Sequence, residues 1–99
     1  MALKRYGFIV KGADLEVVKH HAFIKSEQFE MMVAGVKSLE DAIMAAQEML
    51  TRDVQLIELC SGFGSEDLKK IRDAIDDRIP LGHVRYSVAE RERLRRALA

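Results

Sequence analysis

The stretch that decides the fold is Val54-Gln55-Leu56-Ile57-Glu58-Leu59-Cys60-Ser61-Gly62-Phe63-Gly64-Ser65-Glu66-Asp67. Val54 to Cys60 reads as a buried strand, Ser61 to Gly64 as a glycine-rich turn, and Ser65 as the opening of a helix. In an open α/β sheet such a turn stands at the carboxyl ends of the strands, where ligands bind. The segment therefore points to a place in the fold before it points to any chemistry.

Similar units flank it. Arg5–Val10 predicts a first strand with Tyr6, Phe8 and Val10 on one face, broken by Lys11-Gly12-Ala13. Asp14 can cap a short helix reaching His21, although Val17, Val18, Phe23 and Ile24 also suit extended chain and leave open a short strand at residues 22–25. Phe29–Val36 predicts the next strand, and its run Met31-Met32-Val33-Ala34 is apolar throughout, the pattern of a strand covered on both faces. Ser38-Leu39-Glu40-Asp41 has capping-box spacing and opens a helix striped by Leu39, Ala42, Ile43, Ala46, Met49 and Leu50. Ser65–Asp77 predicts a helix with Leu68, Ile71, Ala74 and Ile75 inward, stopped before Pro80. Leu81–Tyr86 reads as a fourth strand, and Ser87-Val88-Ala89-Glu90 is a capping box for a last helix.

Strands alternating with helices predict one small α/β domain over residues 1–99: a three-layer sandwich on a mostly parallel sheet of about four strands, Rossmann-like or flavodoxin-like, with helices on both faces. Half of a (β/α)8 barrel closed by dimerisation is the alternative. Strand starts lie roughly 25 residues apart, near the length of one βα unit, but no side-chain motif repeats at that interval.

Composition removes several classes of function. Sixteen basic and sixteen acidic residues cancel, so no net field draws the chain to nucleic acid or to an anionic membrane. No apolar run has the length of a membrane span, and Met1-Ala2-Leu3-Lys4-Arg5 does not read as a signal peptide. The single cysteine, Cys60, cannot form an internal disulfide and suits a reducing, cytoplasmic setting. A domain of 99 residues buries a modest fraction of its surface, so a homo-oligomer is expected.

The turn after the third strand is the richest in candidate groups. Gly62 and Gly64 permit a tight turn and close backbone approach, and amides at the following helix start can bind an anion. Yet Asp67 stands where a dinucleotide fingerprint needs its third glycine, and Glu66 and Asp67 would repel a pyrophosphate. Glu58, inside a strand, must find a partner or take up a proton. It is a candidate general acid or base, or a packing ion pair with Arg85 or His83. Cys60, near a helix N-terminus, is a candidate nucleophile without a matched base, or a small buried hydrophobe. The adjacent His20 and His21 would point about 100° apart on a helix, and with isolated His83 they match no zinc spacing, so no metal and no cofactor is expected. The four arginines after Glu90 suit a solvated helix face better than a nucleic-acid reader.

The sequence resembles a family of small uncharacterised prokaryotic α/β proteins, a domain of unknown function. The likeness rests on Gly7-Phe8-Ile9-Val10-Lys11-Gly12, on Val33-Ala34-Gly35-Val36 followed by Ser38-Leu39-Glu40, and on Gln55 through Gly64, and it covers most of the chain. It implies an α/β fold and brings no activity or catalytic residue. The resulting expectation is a small-molecule pocket at the strand carboxyl ends formed by Lys11, Gly12, Glu58, Cys60, Ser61, Gly62, Phe63, Gly64 and Tyr86. A non-catalytic, self-associating interaction module is the competing expectation.

Overall fold

The computed structural model describes residues 2–99; Met1, the first residue of the N-terminal stretch read above, lies outside them. In chain order the elements are β1 (Arg5–Lys11), β2 (His21–Lys25), β3 (Glu30–Val36), α1 (Leu39–Thr51), β4 (Leu56–Leu59), α2 (Ser65–Ala74), β5 (Leu81–His83) and α3 (Val88–Ala97). They form one five-stranded sheet in the order β2-β3-β1-β4-β5. β1 lies parallel to β3 and β4, and β4 parallel to β5, while β2 runs antiparallel along β3.

Three expectations are corrected. The sheet has five strands rather than about four, because residues 21–25 take the extended alternative. The short helix from Asp14 to His21 does not form; the segment is a set of turns. Local bonds hold them: the Glu16 amide donates to His20 Nδ1 at 2.9 Å, and His21 Nδ1 meets the Val17 carbonyl at 2.8 Å. Side chain to backbone bonds of this kind compete with a helical ladder. The third correction concerns the layers. The sheet is open, with β2 and β5 at its edges, so it is no part of a closed barrel.

The layer count follows from the connections. From β3 to β4 and from β4 to β5 the chain steps in the same direction across the sheet, so crossovers of one hand put α1 and α2 on one face. The two helices pack on each other there. A helix on the opposite face would have to come from the connection β1 to β3, the one step in the other direction. That connection is turns followed by β2, which joins the sheet instead of covering it. The molecule therefore has two layers where three were expected.

Burial follows this division. Ile9, Ala34, Val36, Ile57 and Leu59 alternate along the strands, lie under the helices and are completely buried with Ala42, Ala46, Met49 and Ile71. Gly7 lets α1 approach closely: a Cβ there would lie 2.5 Å from Met49 Sδ, and the Met49 side chain would have to shift to admit it. Ser38 caps α1, its hydroxyl accepting from the Asp41 amide at 3.2 Å. α2 ends at Ala74, earlier than the expected Asp77, because Asp76 and Asp77 turn to φ of 55° and 52°. At the other end of the sheet, Gln55 Oε1 accepts from the Lys4 and Arg5 amides at 2.8 and 3.0 Å and ties the start of β1 to β4. Ser87 accepts from the Glu90 amide and opens α3, none of whose residues is buried.

Candidate functional site

The carboxyl ends of β1, β3, β4 and β5 share one rim because these strands are parallel. Lys11 and Gly62 meet on it: a Cβ on Gly62 would lie 3.5 Å from that of Lys11. The Lys11 amide donates to Cys60 Sγ at 3.2 Å, and the Cys60 amide donates to the Ile9 carbonyl at 3.1 Å. The turn between β4 and α2 is thus stitched to the end of β1. Phe63 anchors it from below, buried in the core at 2% exposure, with Lys11 Nζ 5.7 Å from its ring centre. The Gly64 amide donates to Asp67 Oδ2 at 3.0 Å, so the Asp67 carboxylate is turned back onto the helix start.

Beside this turn opens a cleft of about 660 Å³, lined by the turn, the end of β5 with the segment after it, and Arg91 and Leu94 of α3. Ser61, Phe63, Gly64 and Tyr86 of the expected residues lie on it, and the Ser61 hydroxyl donates to the Tyr86 hydroxyl at 3.1 Å across it. The remaining wall comes from Ser65, His83, Arg85 and Arg91 with the apolar Val84 and Leu94. No Asp or Glu is on the wall. Among the described residues neither Arg85 nor Arg91 enters an ion pair, in contrast to Arg93, Arg95 and Arg96 on the same helix, which pair with Glu90 or Glu92. His83 Nε2 is buried with no hydrogen-bond partner among the described residues.

Five expected residues fall outside this cleft, among them Gly62, which sits against Lys11 and Cys60. Gly12 makes room for Leu15, whose Cδ1 would lie 2.8 Å from an added Cβ, and its amide bonds the Val36 carbonyl. Lys11 reaches over Phe63, and Cys60 sits half-buried under the Lys11 amide. Glu58 lies on the sheet face away from α1 and α2. Its neighbour on β5 is Gly82, where a Cβ would come within 3.0 Å of Glu58 Cγ. The expected partners Arg85 and His83 do not reach it: His83 pairs with Leu59 in the register and so projects from the opposite face. Glu58 faces Tyr6 instead, a diagonal neighbour on β1. The Tyr6 phenol is pushed up from 10.0 to about 12, by burial first and then by hydrogen bonding to Glu58 and its charge.

Ser65 and Arg91 entered no expectation about the pocket; Arg85 and His83 entered as partners for Glu58, and His83 also as a histidine that matches no zinc spacing. Ser65 opens α2 directly after the turn, which is the one local signal for it. Arg85 and Arg91 come together only because β5 ends at His83 and the chain then turns into α3. Among the described residues no group of three or more His, Cys, Asp or Glu is placed to hold a metal ion, and no helix is long and apolar enough to cross a membrane.

An α/β protein with a mostly parallel five-stranded sheet and a cationic cleft at the strand ends is the class defined so far. Residues 4–99 match a family of unknown function, DUF6506, and the chain belongs to that family. No curated protein and no solved structure matches it.

Proposed function

We propose that the cleft between the Ser61–Ser65 turn and α3 binds a small molecule through one anionic group, a carboxylate or a phosphate ester. The observation that carries this reading is the charge of the lining: two arginines without carboxylate partners, and no acid on the wall. Guanidinium groups bind planar or tetrahedral oxyanions with paired donors. The hydroxyls of Ser61, Ser65 and Tyr86 and the unpartnered His83 Nε2 add polar contacts, and Phe63 and Leu94 give an apolar floor and wall. Glu66 and Asp67 in the first turn of α2 weigh against a pyrophosphate and favour a single anionic group. The reading is of binding and assigns no bond-making step. The lone free thiol, Cys60, fits a cytoplasmic setting.

A thermal-shift screen against carboxylate and phosphate metabolites tests it. A ligand at a hundred times its Kd adds about 2.7 kcal/mol, which for a domain of this size raises Tm by roughly 10 °C or more. Arg85→Ala and Arg91→Ala are expected to remove the shift and leave the ligand-free Tm nearly unchanged, whereas Lys11→Ala retains it. A screen without a hit, or a hit whose shift survives both arginine changes, refutes the assignment.

A further inference from the structure

The face of the sheet turned away from α1 and α2 carries Tyr6, Phe8, Met31, Val33, Leu56 and Ile24, placed together by the register of β1, β2, β3 and β4. An antiparallel or mixed sheet with one solvated face alternates apolar and polar residues, the polar ones outward. Here the outward positions other than Glu58 carry no charge; Tyr6, Phe8, Met31, Val33 and Leu56 are half-buried, and Ile24 at the edge is 60% exposed. No helix lies over them. α3 buries none of its own residues, and Leu15 fills only the corner at Gly12 and Gly35.

We propose that a second copy of this chain covers this face, sheet against sheet, in a symmetric homodimer. Area, charge and symmetry favour that occupant. Strands about 4.8 Å apart and rising about 3.3 Å per residue make a face of roughly 20 by 20 Å. Two such faces make roughly 800 Å² of flat area, in the range of small, reversible interfaces. Glu58 is the one charged side chain among the strand residues of this face. A two-fold axis lying between the sheets, over Phe8 and along its strand, keeps the two Glu58 carboxylates, one strand off the axis, about 10 Å apart in projection, so like charges do not meet. Each carboxylate has the Tyr6 hydroxyl of its own chain beside it. An isologous contact needs only that the patch suit itself, and an apolar face with its single charge off the axis does so. Aligned packing of two sheets then interleaves the side chains across about 10 Å.

Light scattering on the eluting protein at micromolar concentration is expected to give twice the 11.2 kDa chain mass. Val33→Lys places a charge on each side of the interface, and it is expected to halve the mass with an unchanged far-ultraviolet circular dichroism spectrum. Val18→Lys, at a position 83% exposed and outside the face, is expected to stay dimeric. Should Val33→Lys not fold, spin labels at Ile24→Cys in a Cys60→Ser background supply the second measurement. A sheet-to-sheet pair puts the two labels within roughly 30 Å. A monomeric wild-type protein, a folded Val33→Lys variant that remains a dimer, or labels too far apart to couple would each overturn the proposal.

Discussion

Phe63→Ala tests whether the turn that forms the cleft is held from below. Phe63 is 2% exposed and packs into the same core as Ile9, Leu59 and Ile71. Truncating a buried phenylalanine costs about 3 to 5 kcal/mol, from lost transfer energy and the cavity left behind. The Lys11 ammonium over the ring adds about 0.5 to 1 kcal/mol at so exposed a position. A loss of about 4 kcal/mol is a large share of the roughly 5 to 15 kcal/mol that holds a domain together, and it lowers Tm by roughly 20 °C for about 100 residues. Urea unfolding followed by circular dichroism measures it, with Phe63→Leu expected to lose only about 1 to 1.5 kcal/mol. Hydrogen exchange adds a local readout. In the alanine variant the amides of Phe63, Leu68 and Cys60, bonded to Cys60, Gly64 and Ile9 carbonyls, should exchange faster than those of β3. A loss below about 1 kcal/mol would show that the turn is held by its backbone bonds and that the side chain is no anchor.

Two further outcomes follow from single features. With Tyr86→Phe removing the other tyrosine, the phenolate absorbance of Tyr6 should rise near pH 12, and Glu58→Gln should bring the midpoint part of the way back toward 10.0, since burial is the larger cause. Because the folded-state value is raised, the stabilisation is complete below pH 10 and is lost as pH climbs toward 12; a urea midpoint that stays constant from pH 9 to 11.5, or ionisation at the ordinary value, contradicts this. Ser38→Ala should cost about 1 kcal/mol of global stability because α1 is buried in the core, while Ser87→Ala should fray α3 in hydrogen exchange with little change in the urea midpoint; equal effects from the two would mean that α3 packs more tightly than its exposure indicates.

Where a local rule governed a segment, the sequence was a good guide. Ser38 and Ser87 cap the helices they were expected to cap, and strand, turn and helix follow one another where expected, with β4 confined to Leu56–Leu59 and α2 ending at Ala74. The candidate pocket was harder. Gly12 and Glu58 have the residue types of a site, yet one accommodates Leu15 and the other lies on a sheet face away from the cleft. Their positions depend on strand order and on which side chain fills which gap, and neither is a local property. Arg85 and Arg91 illustrate the converse, since only the path of the chain after β5 brings them to one wall.

The layer count shows how a partly mistaken reading can still carry information. The apolar run Met31–Ala34 predicts a strand covered on both faces, with helices as the cover. The structure divides that run. Met32 and Ala34 are buried under α1, while Met31 and Val33 face the other way with no helix above them. The segment between β1 and β2, whose helix would have supplied the missing layer, spends its polar groups on turns and sends Leu15 and Val17 to different sides of the sheet edge. The hydrophobic pattern thus records a requirement for cover on both faces, and the described chain supplies cover for one. In a domain this small, Phe8, Met31, Val33 and Leu56 are half-buried, and covering them fully would return the remaining fraction of the roughly 1.5 to 3 kcal/mol that complete burial of each side chain is worth. That is the physical reason to look for the second layer in another copy of the chain, and it makes the oligomeric state the measurement on which the reading of this face depends.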